Sequence, residues 1–417
     1  MTSSGRPTVL YISYDGVLEP LGQSQVLGYL ERLAAELSIH LITYEKRQDR
    51  ENAERMGAMR KRLEKAGISW TPLSYHKAPS APATAYDIVV GTLTAFWLAL
   101  RHDARIIHVR SYVPALIALA IKRLTGAKLL FDMRGFWADE KVDGDLWPAG
   151  GRLYRITKAL EARFLKAADH VVTLTHASVR EIESFPYLHD RMPPLTVIPT
   201  CADLDRFSPQ EGGEGEGFVF GYVGSVGTWY LFDEALACFR LILERRPDAR
   251  LLVVNRNEHN FIRVAVGAAG IDPVRLQIVA AEHCDVPAMI AKMTVGAAVI
   301  KPAYSKIASA PTKLAEYLGC GVPCLGNVNV GDMEEILEGE RVGVALTGFS
   351  EGERRAAVDR LLTLLDDPEL RNRCVETARR LFSVDDGVEA YRRIYESLTM
   401  EVAEDFRGTG GERAENA

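Results

Sequence analysis

Val299-Ile-Lys-Pro-Ala-Tyr-Ser-Lys-Ile-Ala-Ser-Ala-Pro-Thr-Lys-Leu-Ala-Glu-Tyr-Leu-Gly-Cys-Gly-Val-Pro323 is the most informative stretch of this 417-residue chain. A buried strand ends in a polar loop, and Pro311 pre-sets the first turn of a helix. A strand that feeds a helix before the next strand is the unit of a parallel sheet covered on both faces. Ser309 or Ala310 is then the cap. The amides that follow Pro311, with the Thr312 hydroxyl, leave a helix N-terminus carrying partial positive charge, which is a seat for phosphate. Lys301 and Lys306 sit just before it, and charge-assisted bonds to phosphate are about twice as strong as neutral ones. One turn on, the Glu316 carboxylate suits two sugar hydroxyls rather than a phosphate. A capped helix with solvated lysines is the plainer reading of the same residues.

The same rhythm extends in both directions from this stretch. The second half carries apolar runs at 218–223, 250–254, 276–279, 295–300 and 322–325, and the first half at 9–13, 39–43, 106–109, 128–131 and 170–174, with helical patterns between them. The prediction is α/β: two Rossmann-like, doubly wound parallel-sheet domains facing across a cleft, with ligands beyond the carboxyl ends of the strands. The first domain is expected over 1–206 and the Gly/Glu-rich stretch 207–217 as a linker. The second domain then covers 218–386, an amphipathic helix over 387–404 folds back toward the first domain, and 405–417 is a disordered tail.

Composition agrees with two soluble domains: 47% hydrophobic and 25% charged residues. The net charge of −6 argues against a nucleic-acid partner, so any anion site must be local. The six cysteines are scattered, without the spacing of a zinc site, and read as buried thiols in a reducing compartment. No secretory pattern opens the chain, and the apolar run 88–100 is too short to span a bilayer and reads as a core helix. A cytoplasmic protein is expected.

Three further loops carry candidate chemistry. Ser13-Tyr-Asp-Gly-Val-Leu-Glu-Pro-Leu-Gly-Gln-Ser-Gln25 follows the first strand, and Gly16 and Gly22 suit close approach to a diphosphate from across the cleft. Phe131-Asp-Met-Arg-Gly-Phe-Trp-Ala-Asp-Glu140 packs Asp132, Arg134 and Trp137 into one loop, where Arg134 either stabilises departing phosphate or pairs with Asp139 or Glu140. Val223-Gly-Ser-Val-Gly-Thr-Trp-Tyr230 offers Gly224 and Ser225 as amide donors without charge, leaving Arg256, Lys301 and Lys306 to supply cations. His108 and Arg110, at the end of the strand over 106–109, are acceptor-side candidates together with Trp137. Asp143-Gly-Asp145 resembles an Asp-x-Asp metal site but reads as a turn, so no metal is expected. The helix over 151–168 gathers Arg152, Arg155, Lys158, Arg163 and Lys166 opposite Leu153, Leu160 and Phe164. That arc is either a solvated face or a contact with anionic lipid at the inner face of the membrane.

The stretch from Ser309 to Pro323 resembles the donor-binding signature of the GT-B-fold retaining glycosyltransferases of family 4, Ser-x-Pro-x-Lys-x-x-Glu-Tyr/Ala-x-x-x-Gly-x-Pro. Lys313, Glu316, Gly321 and Pro323 match it, and the segment Asp15–Gln25 is closely similar to one found in a subgroup of that family. The resemblance implies that Glu316 binds the ribose of a nucleotide diphosphate sugar, UDP- or GDP-linked, and that the helix faces the diphosphate. It also implies retaining transfer of the sugar to a hydroxyl acceptor without a cofactor. In that reaction Asp132, Arg134, Arg256 and Lys301 form the catalytic set, and Ser309, Thr312, Lys313 and Lys306 hold the donor. The chain departs from the family at Ala308, where an earlier Glu is common, and at Asp132, where a His is common. A nucleotide-sugar epimerase or hydrolase of the same fold, and a two-lobed sugar-binding protein, are the rival classes.

Overall fold

The computed structural model describes residues 6–76, 78–210, 217–282 and 284–414, with backbone alone at 80 and from 403 onward. The first sheet is built from β1 (Thr8–Ser13), β2 (Ser38–Glu45), β3 (Ser69–Ser74), β4 (Ile106–Arg110), β5 (Lys128–Asp132), β6 (His170–Thr173) and β7 (Leu195–Val197). Its order is 3-2-1-4-5-6-7. The second sheet takes β8 (Val219–Val223), β9 (Arg250–Val254), β10 (Leu276–Val279), β11 (Val295–Ala297), β12 (Cys324–Asn327) and β13 (Gly343–Leu346), in the order 10-9-8-11-12-13. Every pairing within the two sheets is parallel. The two doubly wound domains are those the sequence predicts.

The central strands are buried along almost their whole length, as strands covered on both faces must be. β3, β7 and β13 are additions. Each lies at or next to a sheet edge; β3 carries Pro72, tolerated there because an edge strand has a free side, and β7 has three residues. β11 stops at Ala297, and Ile300 instead makes an isolated antiparallel bridge to Tyr230, which turns the chain toward the cleft.

One face of the first sheet is covered by helices Ser80–Arg101, Tyr112–Thr125 and Arg152–Ala167, whose Leu98, Ile117 and Phe164 pack with Leu10 and Phe131. The opposite face takes Gly28–Leu33, Ala53–Lys65 and the last helix, Val384–Ala414. That last helix places Val388, Tyr391, Ile394, Tyr395 and Leu398 in the first domain's core beside Tyr11 and Leu30. It starts at Val384 rather than 387 and runs to Ala414, through most of the segment whose composition reads as unstructured; 415–417 lie outside the described residues. Of the expected linker, 211–216 also lie outside them.

Helix Ser80–Arg101 is longer than the apolar run suggests and is a core helix on one side only. Tyr86, Val89, Leu93, Trp97 and Leu100 point outward.

Candidate active site

Helix Thr312–Gly319 is locked under the second sheet by Tyr317. The tyrosine hydroxyl accepts the Val223 N–H at 2.9 Å and donates to the Ala297 carbonyl at 3.3 Å. Its ring lies over Gly296, where a Cβ would come within 2.7 Å, so glycine in β11 is what lets the helix approach this closely. The helix opens one residue later than predicted. Pro311 itself is the cap, with φ −68° and ψ 122°, and no side chain closes the end. Ser309 and Ala310 precede it as extended chain rather than as caps.

Two cavities meet at Thr312. One, of about 420 Å³, is walled by Asp15, Arg110, Ser111, Arg134, Gly135, Trp137 and Glu140 of the first domain and by Trp229, Tyr230, Lys306, Ser309 and Pro311 of the second. The other, of about 630 Å³, holds Glu316 and Arg256 opposite Gln23, Gln25, Arg32, Arg55 and Arg62. The sequence-predicted residues therefore fall on two sides of Thr312. Arg134, Arg110, Trp137, Lys306 and Ser309 share one side, while Glu316 and Arg256 share the other.

Arg134 projects from a turn in which its own φ is +60° and that of Gly135 is +140°, and Ser111 across the cavity has φ +69°. Left-handed backbone at non-glycine residues costs roughly 1–3 kcal/mol and is found where a side chain must be aimed. Arg134 pairs with Asp132 (3.9 Å) rather than with Asp139 or Glu140. Asp139 takes Tyr154 and Lys158, and Glu140 takes Lys306. Asp132 itself has no exposed surface: Arg110 (3.3 Å) and Tyr391 (3.2 Å) lie on Oδ2, so it cannot touch a substrate and acts by holding the two arginines. Arg110, 3.8 Å from Asp15, reaches the cavity wall.

Several sequence-predicted residues lie elsewhere. His108 is a core residue, its Nδ1 2.6 Å from the Tyr395 hydroxyl and its ring against Tyr11; burial holds its pKa well below the usual range, so it is a neutral packing group and not an acceptor contact. Gly16 and Gly22 line neither cavity. A Cβ on Gly16 would overlap the Glu45 carboxylate, and one on Gly22 would overlap the Gly16 carbonyl. The buried Glu45 explains Gly16, because it accepts the Val17 and Leu18 amides (2.9 and 3.3 Å) and pins the loop, and the Gly16 backbone in turn leaves no room for a side chain at Gly22. The Gly224–Ser225 loop is turned to a carboxylate as well, with the Ser225 hydroxyl and the Val226 amide donating to Glu258.

The cations are likewise engaged. Lys306 is buried over the Trp229 ring (3.7 Å) and pairs with Glu140 (2.9 Å). Arg256 pairs with Glu282. Lys301 donates to the Asp143 carbonyl (3.0 Å) and the Ser305 amide donates to the Asp143 carboxylate (2.9 Å), so the Asp143-Gly-Asp145 segment is a turn that latches the two domains. Among the described residues no group of three or more His, Cys, Asp or Glu gathers to hold a metal. On helix Arg152–Ala167, Lys158 turns inward to Asp139 and Glu161, and Leu153 faces out with the arginines.

Lys313 is buried between the rings of Tyr222 (4.3 Å) and Tyr230 (3.8 Å), and its Nζ has no hydrogen-bond partner. Burial pulls its ammonium down to about 7, and burial pushes the Glu316 carboxyl up to about 7. A carboxyl whose folded pKa stands above its unfolded value opposes folding in its charged form. For Glu316 that penalty is absent below about 4.5, grows with pH and is complete above about 7. Replacing Glu316 by Gln is therefore expected to raise unfolding stability by roughly 3 kcal/mol at pH 8 and to change it little at pH 4, read by urea denaturation. A gain equal at both pH values would contradict the buried-carboxylate reading.

Glu140, Trp229, Tyr230 and Ser111 complete the site without having been singled out for it. The aromatic pair Trp229-Tyr230 at the end of a glycine loop was the available signal; the positive φ of Ser111 has no signature in a single sequence.

Comparison with known proteins gives two family matches, one to each domain. Residues 22–201 match the family described as "Glycosyl transferase 4-like domain", and 205–381 match "Glycosyl transferases group 1". Among solved structures the chain is similar to sucrose-phosphate synthase from Thermosynechococcus elongatus, with TM-score 0.73, 14% identity, and 95% of this chain and 100% of that one covered. It is also similar to a glycosyltransferase from Rickettsia africae ESF-5, with TM-score 0.70, 14% identity and 95% and 99% coverage. A third is Alr3699/HepE from Anabaena in complex with UDP, with TM-score 0.63, 13% identity and 94% and 100% coverage. At these identities the likeness is one of fold. A search by sequence among curated proteins returns no match.

Proposed function

The chain belongs to the group 1 glycosyl transferases of GT-B fold, and from that premise we propose that it is a retaining, metal-independent hexosyltransferase using a nucleoside diphosphate sugar. The observation that carries this reading is the segment Ser309–Glu316, which joins a cavity walled by Arg134 and Lys306 to one holding Glu316 and Arg256. In this proposal the ribose lies at Glu316, the diphosphate spans Thr312, and the sugar enters the cavity between Trp137 and Trp229. The Anabaena protein has been crystallised with UDP and, separately, with UDP-glucose, which makes uridine donors the first to test, with GDP sugars second.

Transfer breaks the bond between the anomeric carbon and the diphosphate oxygen and forms a bond from the acceptor hydroxyl on the same face of the ring. The acceptor's proton passes to the departing diphosphate. Arg134 and Lys306 are placed to offset the charge that develops there, and fixed cations in a water-poor cleft act more strongly than in bulk. Arg256 neutralises the nucleotide end. The protein is proposed to work without a cofactor in the cytoplasm, at the inner face of the membrane, with helix Arg152–Ala167 toward anionic lipid.

The test is release of nucleoside diphosphate from a panel of UDP- and GDP-hexoses in EDTA, with the anomeric configuration of the product read by NMR. Retained configuration supports the proposal. Inverted product, or turnover that stops in EDTA, overturns its retaining or metal-independent part.

A further inference from the structure

The strongest feature outside the cleft is the outer side of the first domain. Tyr86, Val89, Leu93, Trp97 and Leu100 recur at helical spacing along Ser80–Arg101 and are each 55–66% exposed. The stripe carries no charge until Arg101, which closes over the Trp97 ring at 4.9 Å. The one acidic residue of the helix, Asp87, is buried and held by Tyr14 and His76. A soluble helix ordinarily turns such a stripe inward and its polar residues outward, and this one leaves its apolar stripe uncovered.

The two neighbouring helices on the same sheet face continue the surface with a different chemistry. Leu124, Leu153 and Ile156 are exposed there, interleaved with exposed Arg123, Arg152, Arg155 and Arg163. None of these four arginines pairs with a carboxylate among the described residues, although the chain as a whole has a net charge of −6. Apolar anchors beside unpaired arginines, with Tyr86 and Trp97 near the two ends of the stripe, match the boundary between headgroups and acyl chains. At 22 residues, about 33 Å, the helix is long enough to cross a membrane, but its inner side packs Asp87, Ala95, Leu98 and Ala99 against the first domain, which leaves only the outer stripe for lipid.

We infer that this face docks on a bilayer carrying anionic phospholipid, with helix Ser80–Arg101 as its apolar anchor and the arginines of Arg152–Ala167 as its electrostatic attraction. The inference extends the proposed membrane contact of the basic helix by assigning insertion to a different element. Because β3 leads into Ser80, the anchor begins at the carboxyl edge of the sheet, the edge that opens on the cleft. An acceptor carried on a lipid would then reach the site from the first domain's side.

Flotation with vesicles of phosphatidylcholine alone, and with phosphatidylglycerol added, tests this. The full chain should bind the anionic vesicles. Leu93→Glu with Trp97→Glu should abolish binding, and Arg152→Ala with Arg155→Ala should weaken it by about thirty-fold, from roughly 1 kcal/mol per basic residue. Both pairs are exposed, so melting temperature and stabilisation by UDP should match the wild type, which keeps this test separate from that of the donor site. No binding to anionic vesicles, or binding that the Leu93/Trp97 variant retains, overturns the inference. So does a concentration-dependent dimer in sedimentation velocity that the same variant dissociates, since a second copy would then be what covers the stripe.

Discussion

Replacing Glu316 by Ala is expected to remove most of the thermal stabilisation that a saturating nucleoside diphosphate gives the wild type. A carboxylate that accepts two hydroxyls forms two charge-assisted bonds, each worth about 1.5–3 kcal/mol, so affinity should fall by at least a hundred-fold. The residue sits at the mouth of the larger cavity, 9% exposed, on a helix fixed by Tyr317 and not by Glu316 itself. The fold should therefore survive. Above pH 7 the unliganded variant should even melt higher, because burial penalises the Glu316 charge. The two effects have opposite signs, which separates loss of a ligand contact from loss of the fold. Unchanged affinity in a folded variant would remove Glu316 from the donor site.

The second large effect is expected at Arg134. Its guanidinium is held by a buried carboxylate, on backbone whose conformation is costly, at the wall that also carries Lys306. If it offsets charge on the departing diphosphate, Arg134→Ala should lower kcat by about 10²–10³ with little change in donor KM. Arg134→Lys should recover little, because an ammonium cannot reproduce a planar fork. Lys306→Ala should act in the same direction, and the double variant should cost less than the product of the two if both serve one charge. A rise in KM with kcat intact would instead make Arg134 a ground-state contact.

The two-domain α/β architecture was legible because central parallel strands are buried on both faces and so form apolar runs a single sequence displays. The edge strands β3, β7 and β13 were not, since short, half-exposed or proline-bearing runs look like loops. Helix Thr312–Gly319 was legible from the strand, the polar loop and Pro311 before it, although its cap was placed one or two residues early. What the sequence hid were partners distant along the chain. Glu45 accounts for Gly16, the Gly16 carbonyl for Gly22, Glu258 takes the Ser225 hydroxyl and the Val226 amide, and Glu140 and Glu282 sit on two of the three expected cations. His108 lies beneath Tyr395, 287 residues away. The helix at 80–101 misled for a different reason: an exposed apolar stripe has the same composition as a buried one, and only its neighbours tell them apart.

The most direct measurement is a crystal structure with UDP bound. Ribose hydroxyls should lie on the Glu316 carboxylate and the diphosphate against the start of helix Thr312–Gly319, directed toward Lys306 and Arg134. UDP found away from that helix, or bound with its phosphates at Glu316, would contradict this placement.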